Sequence, residues 1–286
     1  MKILKTLCLL AFATVMPAML TSCDDDDEPS SSASSSSSSY SGPAFGLRDC
    51  GKVISSIEER TYNNQPFSFV YDGSGRVIEV KGYDETVSYD YNSQRGEVVT
   101  KFDWKEIISF DADANGSFKS LTRENSWEKD AYEFKYNSDG NVISVVETHF
   151  EDLDGKWTNS WSGTFTFKWD RDLLTSVSWT WKDEDGSTSV AEMKITYSDV
   201  VNKYRTPLCG FTALMFGELL YPNELSIAPA KLPKKLEYYE PGEGEYEYAC
   251  RYTLDDEGFI ESEYIEDKAD GEEYADVRYT YADKEF

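Results

Sequence analysis

The sequence predicts a mainly β protein: a single curled antiparallel meander or open barrel of repeated hairpins, interrupted by one short helical insertion. Three observations predict it. Aromatic residues make up 15% of the chain and recur at every second position in short runs. Most of these runs end in Asp or Asn followed by a Gly turn and then a β-branched run. One stretch, near residues 207–221, breaks the alternation with helical spacing between prolines. A two-sheet sandwich is the alternative arrangement of the same strands.

The hairpins follow in order. Phe67, Phe69 and Tyr71 lead into Asp72-Gly73-Ser74-Gly75, then Val77, Ile78 and Val80. Tyr89 and Tyr91 precede Asn92, Gly96 and Val98. Ile108 and Phe110 precede Asp113-Ala114-Asn115-Gly116 and Phe118. Tyr132, Phe134 and Tyr136 precede Asn137-Ser138-Asp139-Gly140, then Val142, Ile143 and Val145. Phe165, Phe167 and Trp169 reach Asp170 without a Gly. Tyr252 and Leu254 lead into Asp255-Asp256-Glu257-Gly258, and Val277, Tyr279 and Tyr281 close the chain. A period of two sets one face of each strand against a core. Asp or Asn caps the turn, and Gly accepts positive φ there. Such short turns join antiparallel neighbours, giving roughly 10 to 14 strands.

The insertion carries Leu208, Phe211, Leu214, Met215, Leu219 and Leu220 on one helical face, and Pro222, Pro229 and Pro233 prevent its extension. A helix plugging the open face or end of the sheet is the expected role, with a partner-docking helix as the alternative.

The chain begins as an address. Lys2 and Lys5 precede an apolar run too short to span a bilayer. The run ends in Leu20-Thr21-Ser22-Cys23, which resembles a bacterial lipobox. That resemblance implies a signal peptide over 1–22 and acyl chains on Cys23, a stable anchor when two or more are attached. The acidic run Asp24 to Glu28 resembles the export signal of Bacteroidetes surface lipoproteins; Asp directly after the Cys also resembles an inner-membrane retention signal of enterobacteria. Ser30 to Ser39 cannot bury apolar area, so residues 23–44 read as a tether and 45–286 as the folded domain.

The element Phe69-Val70-Tyr71-Asp72-Gly73-Ser74-Gly75-Arg76-Val77 is similar to the YD repeat of Rhs-type proteins. Residues from about 50 to 286 resemble a Bacteroidetes surface lipoprotein family of unknown function built on degenerate YD-like hairpins. The resemblance implies a β-repeat fold with one helical interruption and a surface location, and no active site. The segments at Tyr91 and Trp169 depart from the repeat.

Composition bounds the function. The formal net charge of −26 repels phosphate backbones and excludes nucleic acid as a partner. Cys50, Cys209 and Cys250 remain after the anchor, permit at most one disulfide, and show no CxxC spacing for a thiolate metal site. His149 is the sole histidine, which leaves no Ser-His-Asp triad reading and no multi-His centre; it reads as a surface strand residue. Acidic runs such as Glu151-Asp152-Leu153-Asp154 and Asp183-Glu184-Asp185 read as solvated turns. Asp111, Asp113 and Asn115 match the opening of a Ca²⁺ loop, but position twelve is Thr122, so Ca²⁺ competes with a plain turn. Trp157 and Trp161 share a strand face by parity, as do Trp179 and Trp181; exposed rows of this kind stack on sugar rings, while buried ones are cross-strand ladders. The function expected is a non-catalytic binding or interaction protein, anchored in the outer membrane through Cys23, with a glycan or protein partner. A polysaccharide-acting enzyme with a carboxylate pair and an apolar-ligand carrier are the alternatives.

Overall fold

The structure is a computed structural model that describes Phe45, Leu47 and residues 50–284, apart from 61–64, 102–104, 183–185 and 217–222. The signal segment, Cys23, the tether and the Asp183–Asp185 run lie outside the described residues.

Among the described residues, sixteen strands run in sequence order: β1 (Lys52–Glu59), β2 (Gln65–Tyr71), β3 (Val77–Lys81), β4 (Glu85–Asp90), β5 (Arg95–Thr100), β6 (Lys105–Ala112), β7 (Phe118–Glu124), β8 (Glu128–Tyr136), β9 (Val142–Leu153), β10 (Lys156–Asp170), β11 (Leu173–Lys182), β12 (Thr188–Val201), β13 (Lys231–Glu240), β14 (Gly244–Leu254), β15 (Ile260–Asp267) and β16 (Glu273–Asp283). Each pairs antiparallel with its neighbours. β1 also pairs with β16, from Lys52↔Asp283 to Glu59↔Val277, which closes the sheet into a barrel. An open meander and a two-sheet sandwich are therefore corrected to a closed barrel, with more strands than expected. Closure removes both sheet edges, so each of the sixteen strands is paired on both sides.

The turns show why the Tyr-Asp pattern recurs. Asp72 Oδ1 accepts the N–H groups of Ser74 and Arg76, at 2.8 and 3.0 Å. Asp113, Asn137 and Asp255 do the same for the residues two and four positions on. The glycine three residues after each has positive φ, 80° at Gly75 and 91° at Gly258. The aromatic at the end of the even strand then reaches back to the odd strand of its own hairpin. Tyr71 donates to the carbonyl of Ile54, Tyr136 to Phe118, Tyr197 to Leu174 and Tyr281 to Ile260. Trp169 does so with Nε1 to Val142 at 2.7 Å, so this departure from the repeat keeps its bond.

Strand parity sorts the two walls. Inward positions such as Val80, Val87, Ile108, Leu121, Phe134, Val145, Phe165, Leu236 and Ile265 are buried in one apolar core. The outward face carries Arg95, Glu97, Lys105, Glu133, Lys135, Thr166, Lys168, Lys182, Lys194, Arg251 and Arg278. Cross-strand ion pairs such as Lys105–Glu97 and Arg251–Glu266 lace it. Exposed large apolar residues among those described are scattered, as at Ile107 and Val190. The barrel is thus apolar inside and charged outside.

The described residues of the link between β12 and β13 pack inside the barrel. Its helix, α1, covers Cys209–Phe216 of the 207–221 expected, and residues 217–221 lie outside the described residues. Phe216 packs on Phe165 and Phe167 of β10, with ring centroids 4.4 and 6.3 Å away. The N–H groups of Gly210 and Phe211 donate to Glu263 of β15, at 2.9 and 3.0 Å, and Tyr279 of β16 donates to the same carboxylate. Downstream, Glu224 accepts from Tyr89 of β4 at 2.8 Å and from Arg123 of β7. β7 and β15 stand eight strands apart in a ring of sixteen, so the insertion bridges opposite walls. The plugging role expected of the helix holds, in the interior of a closed barrel.

Candidate functional site

The two ends of the barrel differ. The start of β1, the end of β16, the strand ends joined by the β12–β13 connection and the four Asp/Asn-x-x-Gly turns sit at one end, here the near end. The β7–β8, β9–β10 and β11–β12 hairpins turn at the far end. Close to the far end, polar residues occupy inward positions that the strand parity reserves for apolar ones.

Directly paired residues share a face, and the register builds two rows. Arg123, Asp130, His149 and Trp161 lie opposite one another across β7 to β10. The neighbouring row holds Leu121, Tyr132, Glu147, Gly163 and Trp181 across β7 to β11. His149 Nδ1 lies 2.7 Å from Asp130 Oδ1, and this hydrogen bond holds the imidazole pKa above its usual value. Glu147 is 5% exposed; burial, helped by the charge of Asp130, pushes its carboxyl up to about 7. Tyr132 donates to it across a long 3.4 Å. Glu106, also inward, is raised by burial. Arg123 spends its charge on Glu224 of the insertion, a carboxylate with no exposed side chain.

The indoles continue this wall. Trp161 and Trp179 have ring centroids 5.8 Å apart, Trp179 and Trp181 4.3 Å, and Trp179 stacks on Phe165 at 5.5 Å. Gly163 makes room for them: a Cβ there would lie 2.6 Å from Trp179 Nε1 and 3.0 Å from the Trp161 ring. All three indoles remain partly exposed. The wall therefore presents flat apolar rings beside hydrogen-bonding carboxyl, imidazole and phenol groups, a mixture found where polar ring-bearing ligands are held.

The expected site residues divide accordingly. Trp179 and Trp181 share the inner face, as parity requires. Trp157 and Trp161 do not: β10 bulges at Ser160, with Asn159 opposite Phe150 and Trp161 opposite His149. The extra residue flips the parity, so Trp157 turns outward. His149 is corrected from the outer surface to the inner wall. Asp113 caps a turn with the bonds described above, while Asp111 faces outward beside Lys119, 3.6 Å away. Among the described residues, no group of three His, Cys, Asp or Glu side chains is arranged to hold a metal. Cys50, Cys209 and Cys250 are free thiols, the latter two buried. Arg123, Glu147, Glu224 and Glu263 were not singled out by the sequence. Their signal was a charged residue at an apolar parity position, as in Leu121-x-Arg123, Val145-x-Glu147 and Glu263-x-Ile265.

No protein-family model matches the chain, and no curated protein matches it either. Solved structures do. A porin-like protein from Bacteroides vulgatus ATCC 8482 superposes with a TM-score of 0.55 at 15% identity, covering 80% of this chain and 98% of that one. A porin-like protein from Bacteroides uniformis ATCC 8492 gives 0.54 at 16% identity, covering 84% and 99%. The likeness is one of fold.

Proposed function

We propose that this barrel is a water-exposed binding protein, tethered to the outer membrane through Cys23, that holds a glycan at its far end without catalysing a reaction. The observation that carries the reading is the inward cluster of Trp161, Trp179 and Trp181 beside His149, Asp130 and Glu147. The polarity of the walls supports the location. A barrel that spans a bilayer needs an apolar outer band and tolerates a polar lumen. Here the outer wall bears Lys, Glu, Arg and Thr, and the lumen is apolar and crossed by the insertion. Burying outward charges such as Glu133, Lys135 and Lys168 in hydrocarbon would cost about 2–4 kcal/mol for each Lys at midplane. The same wall suits water, so the membrane contact is assigned to the lipid. The near end carries the start of β1, the part of the barrel nearest the tether in sequence, which points the far end away from the membrane. Kinship with YD-type surface lipoproteins belongs to this reading, supported by the four capped turns.

Two measurements test it. The Cys23→Ser chain is expected in the soluble fraction of the cell; retention in the membrane would overturn the location. A glycan array probed with residues 45–286 is expected to show binding that Trp181→Ala removes. A folded domain that binds no glycan would refute the ligand class and turn attention to a protein partner.

One observation favours a second reading. Glu147 holds its proton near neutrality, beside Asp130, which is ion-paired to His149. A carboxyl that keeps its proton near neutrality with a second carboxyl beside it is the kind of arrangement that glycoside hydrolysis uses. Release of reducing ends from a bound oligosaccharide, lost in Glu147→Gln, would establish an enzyme.

A further inference from the structure

Resting on the glycan reading above, we infer that the far-end wall selects pyranose rings without negative charge, neutral or amino-bearing, and rejects uronate and sulfated sugars. The inward residues around the indoles carry the argument. Glu106, Glu128, Asp130, Glu147 and Glu151 all occupy inward positions on β6, β8 and β9. Against them stand two cationic groups, and both are committed. Arg123 is bound to Glu224, and His149 is bound to Asp130. No Lys or Arg of the two rows is left to receive a carboxylate or a sulfate.

The available groups do suit the other sugars. Carboxylates accept hydrogen bonds from ring hydroxyls, and accept stronger ones from an ammonium. Glu147 is nine-tenths buried and holds one long contact to Tyr132, so its acceptor capacity is underused. The indole faces attract the axial C–H groups of a pyranose, and a cation near them gains as well. An anion on the sugar would instead meet five carboxyl groups and no uncommitted cation of the two rows, in a partly desolvated wall where Coulomb repulsion is weakly screened. The selection is thus built by repulsion as much as by attraction.

The test is calorimetric titration of the chain from residue 45 onward, whose barrel closes within residues 52–283, with matched oligosaccharides. One set is neutral, one carries free amines, one carries uronates and one is sulfated. Neutral or amine-bearing sugars are expected to bind, with the uronate and sulfated partners at least about tenfold weaker, a gap that narrows as salt is raised. Trp181→Phe is expected to retain binding and Trp181→Ala to lose it, both with unchanged far-ultraviolet circular dichroism. Glu147→Gln is expected to narrow the gap between neutral and uronate sugars. Equal or tighter binding of uronate or sulfate would overturn the selection and leave the glycan reading standing. Binding that survives Trp161→Ala and Trp181→Ala in folded protein would place the sugar elsewhere and overturn the site. No binding of any sugar by folded protein would overturn the glycan reading itself, and this inference with it.

Discussion

Acidification should stabilise the barrel, and Glu263 is the residue with which to prove it. Its carboxyl is fully buried and receives the N–H groups of Gly210 and Phe211 and the hydroxyl of Tyr279. Burial raises its pKa from 4.5 to about 7, and these three donors only partly offset it. An acid whose pKa is higher in the folded state binds its proton more tightly there than when unfolded. Stability is therefore greatest below the unfolded value and falls as pH rises from about 4.5 to about 7. The gap between those values corresponds to roughly 3 kcal/mol, or a melting shift of several degrees, about 6–12 °C, for a domain of this size. Glu147 acts in the same direction over the same window. So does His149, whose raised pKa adds stability that is lost as pH climbs through it. Exposed carboxyls with lowered values, such as Asp90 and Glu247, titrate below this window. The assay is denaturant unfolding at pH 5.5 and pH 8 of the wild type and of Glu263→Gln, whose amide mimics the protonated acid. The wild type should be the more stable at pH 5.5. The variant should lose a large part of that difference and approach or exceed the wild type at pH 8. A wild type whose stability is flat or rises between these values, or a variant with the full wild-type slope, would refute the reasoning.

Three other perturbations follow from the same structure. Glu224→Ala removes the buried carboxylate that pairs with Arg123 and should cost about 3–5 kcal/mol, whereas Arg123→Met with Glu224→Gln should recover much of it; additive losses in a denaturation cycle would argue against the pair. Gly163→Ala drives a methyl group into Trp179 and Trp161 and should cost about 1–3 kcal/mol. Near-ultraviolet circular dichroism should report the disturbed indoles, and an unchanged spectrum would contradict the packing. Asp113→Ala removes two side-chain bonds at a turn and should cost about 1–2 kcal/mol; a melting temperature of the wild type that rises on adding Ca²⁺ would show instead that the loop takes metal.

The hairpins were legible because their cause is local. Asp72, Asp113, Asn137 and Asp255 bond to amides within four residues, and a periodic reading sees that range. Closure was not legible, since the β1–β16 seam joins Val53 to Ala282 across the whole chain. The strand number escaped because β1, Lys52–Glu59, carries no aromatic residue and opens no hairpin of the repeated kind. Trp157 was misplaced by one extra residue at Ser160, which alternation alone cannot register. The inner polar groups were hidden by composition. Among 54 acidic residues, Glu147 and Glu263 look like any solvated carboxylate until the strand parity beside them is counted. The site was therefore half visible: its indoles stood out, and the charges that give it selectivity did not.

The aromatic-to-carbonyl bonds within hairpins have a consequence for how such a barrel changes over generations. Each bond ties an even strand to its own odd partner, as Tyr136 ties β8 to β7 and Trp169 ties β10 to β9. A hairpin is then a self-braced module, and duplicating or deleting one leaves the braces of the others intact. Every added module lengthens the circumference by about 10 Å, two strand spacings. The inner segment meets walls eight strands apart, through Arg123 and Glu263, and so acts as a gauge of that circumference. Chains with more or fewer hairpins must carry a longer or shorter insertion, and the length of the one should track the number of the other.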